Sequence, residues 1–367
     1  MDGIKTKTIS ITLTEKCNLN CKYCYEKNKT DRSISFEKAK EIVDKEIESL
    51  SGFDRIEFDL FGGEPFLEFE LITAITEYIC DKRLELPYTI FISTNGTLVH
   101  GHIQEWLRDH KNCLVCGLSV DGTRQMHNLN RSNSYDSIDL EFFHEVYPDQ
   151  DVKMTISQET LPQLSKGVIE LHQHGFLVSC NLAYGIDWSS DQNKALLERE
   201  LNRLIDYYIS HPEVNPCSIL DLGLYNVNIY EEKCVRQCGA GNEMGSYDVD
   251  GVRYPCQFFM PLSIGKEKAE LSKMIRFPET YIEDNLLDTE CRKCVIKSIC
   301  PNCLGANFSA TGNLYKRDMN MCILNKITIK ACSYFKALQW ENGLLKDEED
   351  MESLLNAIVK IQERLEV

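Results

Sequence analysis

No stretch of this 367-residue chain approaches the ~20 consecutive apolar residues of a membrane helix, so no helical membrane span and no membrane partner are expected. The opening residues, MDGIKTKTIS, lack the apolar core of a secretory signal, and the chain reads as cytosolic, hence cytoplasmic. Basic charge is scarce as well. Lys and Arg total 40 against 57 Asp and Glu, a formal charge of −17, and no basic face is found on which phosphates would be neutralised; nucleic acid is not an expected partner. Neither a fixed-period repeat nor a low-complexity segment is found, and 43% hydrophobic with 26% charged residues is the composition of a globular protein. What the chain has in abundance is cysteine, 17 in all. In a reducing compartment, and in a fold this large, they do not form a disulfide framework; their clustering points to metal ligation.

Residues 6 to 210 alternate short apolar runs with amphipathic stretches. Strands are expected at 6–13, 55–61, 88–94, 114–120, 152–157 and 177–182, and helices near 35–50, 67–83, 101–110, 136–146, 160–173 and 190–210. Six strand–helix repeats predict an α/β fold of parallel strands, an open sheet or partial barrel, with ligands at the C-terminal strand ends. The pattern changes after His211-Pro212. Residues 213–335 are loop-rich and hold ten of the 17 cysteines, and 346–364 read as an amphipathic closing helix. The expected domains are 1–212, 213–335 and a helical segment at 336–367.

The first strand leads into TEKCNLNCKYCYEKN, in which Cys17, Cys21 and Cys24 fall within eight residues. Three thiolates are one short of a tetrahedral zinc site or a closed iron–sulfur cubane. Either a distant fourth ligand completes a zinc site, or a [4Fe-4S] cluster leaves one iron open. The spacing of three and then two residues, with Tyr23 before the last cysteine, resembles the radical S-adenosylmethionine (radical SAM) enzymes. Further segments follow in that family's order. Gly62-Gly63-Glu64-Pro65 ends the second strand, Ser93-Thr94-Asn95-Gly96 the third, and Ser119-Val120-Asp121-Gly122 the fourth, with His127 and Arg131 beyond. The resemblance implies a partial (β/α)6 barrel of TIM type. It also implies that Gly62, Gly63 and Glu64 receive the methionine amino group, that Ser119 meets the ribose and Arg131 the methionine carboxylate, and that Tyr23 lies beside adenine. Asn95 and Asp121 suit either ribose contacts or turn formation. Leu182 stands either against adenine or in the core.

Downstream, Cys234 and Cys238 precede Gly251 and Cys256, followed by Cys291-x2-Cys294-x5-Cys300-x2-Cys303 and Cys322. This order resembles the SPASM extension of radical SAM peptide-modifying enzymes, which holds two auxiliary [4Fe-4S] clusters. By position, the resemblance implies Cys234, Cys238, Cys256 and Cys303 for the first cluster, and Cys291, Cys294, Cys300 and Cys322 for the second. The gap between Cys300 and Cys303 is one residue shorter than the family's usual gap, and the short step from Cys234 to Cys238 makes Cys234 the least secure ligand. A zinc ribbon at Cys291–Cys303 is the alternative reading. Of the other cysteines, Cys80, Cys113, Cys116 and Cys180 read as packing residues, while Cys217 and Cys332 flank the second domain as possible substitutes.

The resemblance then implies three [4Fe-4S] clusters, S-adenosylmethionine as source of a 5'-deoxyadenosyl radical, and a reductant such as flavodoxin or ferredoxin. The expected activity is that of an oxidoreductase and peptide maturase, installing a thioether, a carbon–carbon crosslink or a similar oxidation in a ribosomally made peptide. The first strand starts at once, so precursor recognition is expected to need another surface or a separate leader-recognition protein. Anaerobic sulfatase maturases, which form formylglycine, share the layout, but their proton-accepting aspartate is here Gln257, in Tyr254-Pro255-Cys256-Gln257. A neutral amide takes no proton. A non-catalytic iron–sulfur or zinc scaffold is a third reading, disfavoured by the Gly62–Pro65 and Ser119–Arg131 segments.

Overall fold

In the first strand, β1 (Thr6–Thr14), aliphatic and hydroxyl side chains alternate. Ile9, Ile11 and Leu13 are fully buried, and Thr8, Ser10 and Thr12 occupy the opposite face. The second, β2 (Arg55–Gly62), repeats the division, with Ile56, Phe58 and Leu60 on the core side and Glu57, Asp59 and Phe61 on the other. Strands covered on both faces belong in a parallel sheet. In the computed structural model, which describes residues 4–230, 233–345 and 351–366, β1 and β2 pair in parallel with Ser10 opposite Asp59. β3 (Tyr88–Thr94) and β4 (Leu114–Leu118) extend the sheet in parallel on the β2 side.

All six expected strands form, the fifth and sixth being β5 (Val152–Ile156) and β6 (Val178–Leu182). They do not share one ladder: β1 to β4 lie in one sheet, while β5 and β6 pair with each other. At β5 the fully buried Asp121 carboxylate accepts the Thr155 N–H at 2.9 Å, so a side chain fills a place that a strand carbonyl would otherwise take. The expected helices form as α1 (Phe36–Glu48), α2 (Phe69–Asp81), α3 (His102–His110), then, after an unexpected α4 (Arg124–Asn130), α5 (Leu140–Val146), α6 (Leu164–Gln173) and α7 (Asp191–Ser210).

Contacts divide the chain into two compact units that interleave in sequence. The first comprises residues 1–120, 127–152 and 238–277, and the second 121–126, 153–237 and 278–367. In the first unit, the sheet is completed by distant residues. After β7 (Cys234–Val235), which belongs to the second unit, β8 (Met244–Tyr247) pairs in parallel with β1, and β9 (Arg253–Tyr254) turns back on β8. Beside this junction Lys7 and Glu46 form a buried ion pair at 2.6 Å, and the Tyr247 hydroxyl donates to the same carboxylate. In the second unit, β7 pairs with β10 (Tyr281–Ile282), and the helices Met319–Glu341 and Met351–Arg364 close over Leu224, Val227 and Ile296. The closing helix is therefore present from Met351; residues 346–350 of the expected segment lie outside the described residues. Among the described residues, no helix is long and apolar enough to cross a membrane.

Candidate active site

The β1–β2 ladder slips by one residue between Thr12 and Thr14, which redirects the chain into the first cysteine loop. There Gly63 N–H donates to Thr14 O at 3.0 Å and Glu64 N–H to Lys16 O at 2.8 Å. A Cβ on Gly62 would stand 2.3 Å from Thr14 O, and one on Gly63 2.1 Å from Lys16 O. The two glycines thus serve a close approach of backbone to backbone, drawing the cysteine loop onto the end of β2.

Glu64 is buried at the centre of this end of the sheet. Its Oε1 accepts from Thr94 Oγ1 at 2.7 Å and Phe66 N–H at 3.2 Å, and its Oε2 from Asn95 N–H at 2.8 Å. Burial raises its pKa above the usual carboxylate range, against the pull of those donors and of Arg131. A carboxylate has about four lone-pair positions, so one more donor, and one more positive charge, is accommodated here. The Arg131 guanidinium lies 5.4 Å from the Tyr23 ring centre, in a cation–π arrangement that orients both. Behind it, Ser132 and Asn133 hold the left-handed conformation at φ 54° and 57°, at a cost of roughly 1–2 kcal/mol each. Ser132 Oγ accepts from Asn20 N–H at 3.0 Å, and Asn130 O from Lys22 N–H at 3.0 Å, so this turn grips the cysteine loop.

The three thiols of the loop are half-buried. Burial raises the Cys17 thiol above its usual range, the Leu19 N–H and Lys29 oppose the rise, and Glu64 and Glu26 add to it. Lys29 Nζ lies 3.3 Å from Cys24 Sγ; burial works against its charge, but the Cys24 and Cys17 sulfurs outweigh that and raise it. Glu26 is pushed up to about 8, by burial first, and its Oε1 has no hydrogen-bond partner among the described residues. Sequence reasoning did not single out Lys29 or Glu26: a lone Lys or Glu in a loop carries no spacing signal. Asn95 is turned to local work, with its Oδ1 accepting from Thr97 N–H at 3.0 Å and its Nδ2 donating to Asn18 Oδ1 at 2.9 Å. Ser119 is half-buried, tied to β3 through its N–H to Thr94 O at 2.9 Å. Behind Cys256, Gln257 Nε2 donates to Ser10 Oγ at 2.7 Å and Asp59 Oδ2 at 3.1 Å. Of the downstream cysteines, Cys238 and Cys256 belong to the first unit, the former exposed and the latter buried.

The second unit contains Cys234, Cys291, Cys294, Cys300, Cys303 and Cys322, together with Asp121 and Leu182. Cys322 is pushed up to about 11, by burial and then by Cys300, Cys291 and Cys294 against the pull of Lys326. The four thiols of the second expected set therefore share one neighbourhood. Cys234, also raised to about 11 by burial, feels Cys300 and Cys291 as well as the opposing Arg317. Its two-residue strand brings it to this group. Arg317 is buried, hydrogen-bonds Cys291, and is held above its ordinary range by Cys300, Cys291 and Cys234 despite burial. Cys303 caps the helix Leu304–Thr311, its sulfur accepting from Ala306 N–H at 3.4 Å, and with Cys300 and Cys322 it lines one small cavity. Leu182 is nearly buried and lines a separate cavity of about 260 Å³ with Asn325 and Met321. Among the described residues, no three His, Cys, Asp or Glu side chains converge on a single-ion site.

The remaining cysteines divide. Cys116 and Cys180 are buried, as expected of packing residues, whereas Cys80 and Cys113, half-buried, bring their sulfurs to 3.5 Å. Cys217 and Cys332 are fully buried, and the Cys332 thiol donates to Leu220 O at 3.2 Å.

Residues 11–140 match the Radical SAM superfamily. Over 89% of this chain and 74% of the relative, the sequence is 24% identical to the radical SAM cyclopropyl synthase TigE of Paramaledivibacter caminithermalis. The fold is similar to that of anSMEcpe with bound AdoMet and the Kp18Cys peptide (TM-score 0.69, 17% identity, 93% of this chain and 100% of that one). It is also similar to Streptococcus suis SuiB bound to its precursor peptide SuiA (TM-score 0.56, 16% identity, 87% of this chain and 76% of that one). At such identities, the structural likeness speaks for the shared fold. Residues 11–140 thus match a radical SAM domain, and the chain shares the parallel-strand fold of these solved structures.

Proposed function

We propose that the protein is a radical SAM peptide maturase that oxidatively modifies a side chain of a ribosomally made peptide, with a peptide or protein as substrate. The observation that carries this reading is the convergence of Cys17, Cys21 and Cys24 with Glu64, Arg131 and Tyr23 at one end of one sheet. The donor set fits the cofactors: three half-buried thiols with a lysine beside them suit a [4Fe-4S] cluster with an open iron. A buried carboxylate with room for one more donor suits an ammonium, and Glu26 Oε1 is a further buried acceptor left unfilled. When bound, S-adenosylmethionine on the reduced cluster supplies hydrogen-atom abstraction. The chain's own residues hold the ammonium at Glu64 and the carboxylate at Arg131, and Tyr23 under that guanidinium orients both.

Two further [4Fe-4S] clusters belong to this reading. Cys291, Cys294, Cys300 and Cys322 would hold one, with Arg317 offsetting its charge, and Cys234, Cys238, Cys256 and Cys303 the other; the closeness of Cys234 to Cys291 and Cys300 keeps its assignment the least secure. A reductant such as flavodoxin or ferredoxin belongs to the proposal too. It is supported by a cavity of about 560 Å³ in the second unit, lined by Arg292, Lys293, Lys297, Lys360 and Arg364 beside Cys294, in a chain of charge −17. A cytoplasmic, reducing setting and a separate leader-recognition protein complete it.

The test is anaerobic reconstitution with iron and sulfide, reduction with dithionite, and assay for 5'-deoxyadenosine. The expected result is three clusters and S-adenosylmethionine cleavage. Iron-loaded protein that yields none, or that takes up zinc instead, would overturn the reading. Synthetic peptides from a small open reading frame beside the gene, and a sulfatase-motif cysteine peptide, then separate crosslinking from formylglycine formation.

A further inference from the structure

On the face of β1 and β2 turned away from the aliphatic core, Ser10 and Asp59 are register partners. A carboxylate in the middle of a strand covered on both faces is costly to bury, and an apolar residue would hold the strand as well. Asp59 is nevertheless only 9% exposed. Its Oδ2 accepts from Ser10 Oγ at 2.8 Å and from Gln257 Nε2 at 3.1 Å, while the same amide nitrogen donates to Ser10 Oγ at 2.7 Å. The three side chains close a triangle. Gln257 is set in it by the turn after Cys256, its own carbonyl accepting from Ser263 Oγ at 2.7 Å. Ser10 and Gln257 thus both donate to one and the same oxygen of the Asp59 carboxylate.

The triangle also has a telling address. Tyr25, the residue after Cys24, stacks on Phe258 at 4.6 Å. Burial holds its phenol well above the ordinary range, and the charges of Glu26, Cys24, Asp59 and Cys256 add to the effect. Asp59 thus shares a neighbourhood with the first cysteine loop and with Cys256, all within the first unit.

We propose that Asp59 is the proton acceptor of the oxidative step, with Gln257 and Ser10 as its positioning residues. The inference rests on the peptide-modifying reading. Joining a substrate carbon to a second substrate atom breaks a C–H bond and an X–H bond and forms C–X. One hydrogen leaves as an atom, to the oxidant that S-adenosylmethionine supplies; the other leaves as a proton, to Asp59. The remaining electron passes to an oxidised iron–sulfur cluster. Gln257 takes no proton itself but holds the carboxylate that does. An amide at position 257 therefore does not by itself argue against formylglycine formation.

The test compares reconstituted wild type, Asp59→Asn, and Asp59→Asn/Gln257→Asp, which moves the carboxylate across the triangle, using the synthetic peptides named above. For Asp59→Asn, 5'-deoxyadenosine is expected within about twofold of wild type while product falls at least ~100-fold, in line with a general base worth about 10²–10⁴. The double variant is expected to recover at least a tenth of the product. Isotope-edited infrared spectroscopy on the metal-free chain supplies a readout apart from turnover: the band lost in Asp59→Asn should be that of an ionised carboxylate at neutral pH, and Gln257→Leu should shift it. Wild-type product from Asp59→Asn, loss without rescue, a protonated Asp59, or a band indifferent to Gln257→Leu each overturns the proposal. Failure of wild type to make 5'-deoxyadenosine instead defeats the peptide-modifying reading, and leaves the infrared result to stand alone.

Discussion

Cys17 in the first unit and Cys322 in the second are both raised above the usual thiol range, and in both burial is the leading cause. Their surroundings differ in kind. Around Cys17 stand Lys29 and two carboxylates, Glu64 and Glu26, whereas Cys322 faces three further thiols, with Lys326 opposing them. A site that exchanges a charged ligand needs acceptors not already committed to metal, and on the proposed reading Glu64 and Glu26 would supply them. A site closed by its own thiols needs cationic compensation instead, and on the proposed reading the buried Arg317 at Cys291 would supply it. On the proposed reading, the first unit is built to receive and the second to retain.

The hardest blow to this contrast is Cys17→Ala. It should abolish 5'-deoxyadenosine formation while the second unit keeps its iron, measured by iron analysis and turnover on the same sample; equal loss from both units would erase the distinction. Next in size, Glu64→Gln keeps the side-chain size but removes the charge proposed to meet an ammonium, and sets an amide NH2 against one of the three present donors. A charge-assisted bond is worth about 1.5–3 kcal/mol, so the Kd for S-adenosylmethionine should rise roughly 10- to 100-fold with iron content unchanged. An unchanged Kd by calorimetry counts against the assignment.

A third prediction probes the second unit's helical core. Burial pushes Cys217 and Cys332 up from 9.0 to about 11, so the protonated thiols stabilise the fold. That contribution is full below pH 9 and disappears as pH rises through 11, an effect on the order of 2 kcal/mol per thiol. Cys332→Ala should flatten the alkaline decline in urea midpoint, and a decline identical to wild type removes the argument. The smallest expected effect is that of Tyr23→Leu, which loses the face under Arg131. A few-fold weaker S-adenosylmethionine affinity is expected from an interaction of about 0.5–2 kcal/mol.

Much of this was legible in the residues. Alternation in TKTISITLT and RIEFDLFG marks β1 and β2, and strict spacing marks the first cysteine loop. What escaped depends on contacts without a local signal. Gln257 meets Asp59 across 198 positions, and the two-residue β7 is too short for any periodicity to show that Cys234 keeps company with Cys291 and Cys300. The α4 helix was hidden because its Arg124–Asn130 segment reads as polar strand-end residues; in it His127 is buried and lies 3.0 Å from Ser134 Oγ. The strand-end glycines Gly62 and Gly63, assigned from the resemblance to a cofactor contact, are in close backbone contact with the protein's own cysteine loop.

The pairing of β8 with β1 bears on how the molecule is made. A ribosome that has released only the first 212 residues has produced the cysteine loop, Glu64 and Arg131, but not Met244–Tyr247, which cover the backbone of Thr8–Ile11. Until those residues emerge, the nascent chain presents an open strand edge that leads into the cysteine loop. On the proposed reading, loading of the first site would be tied to synthesis of Met244–Tyr247, and a fragment cut near residue 212 should aggregate rather than mature.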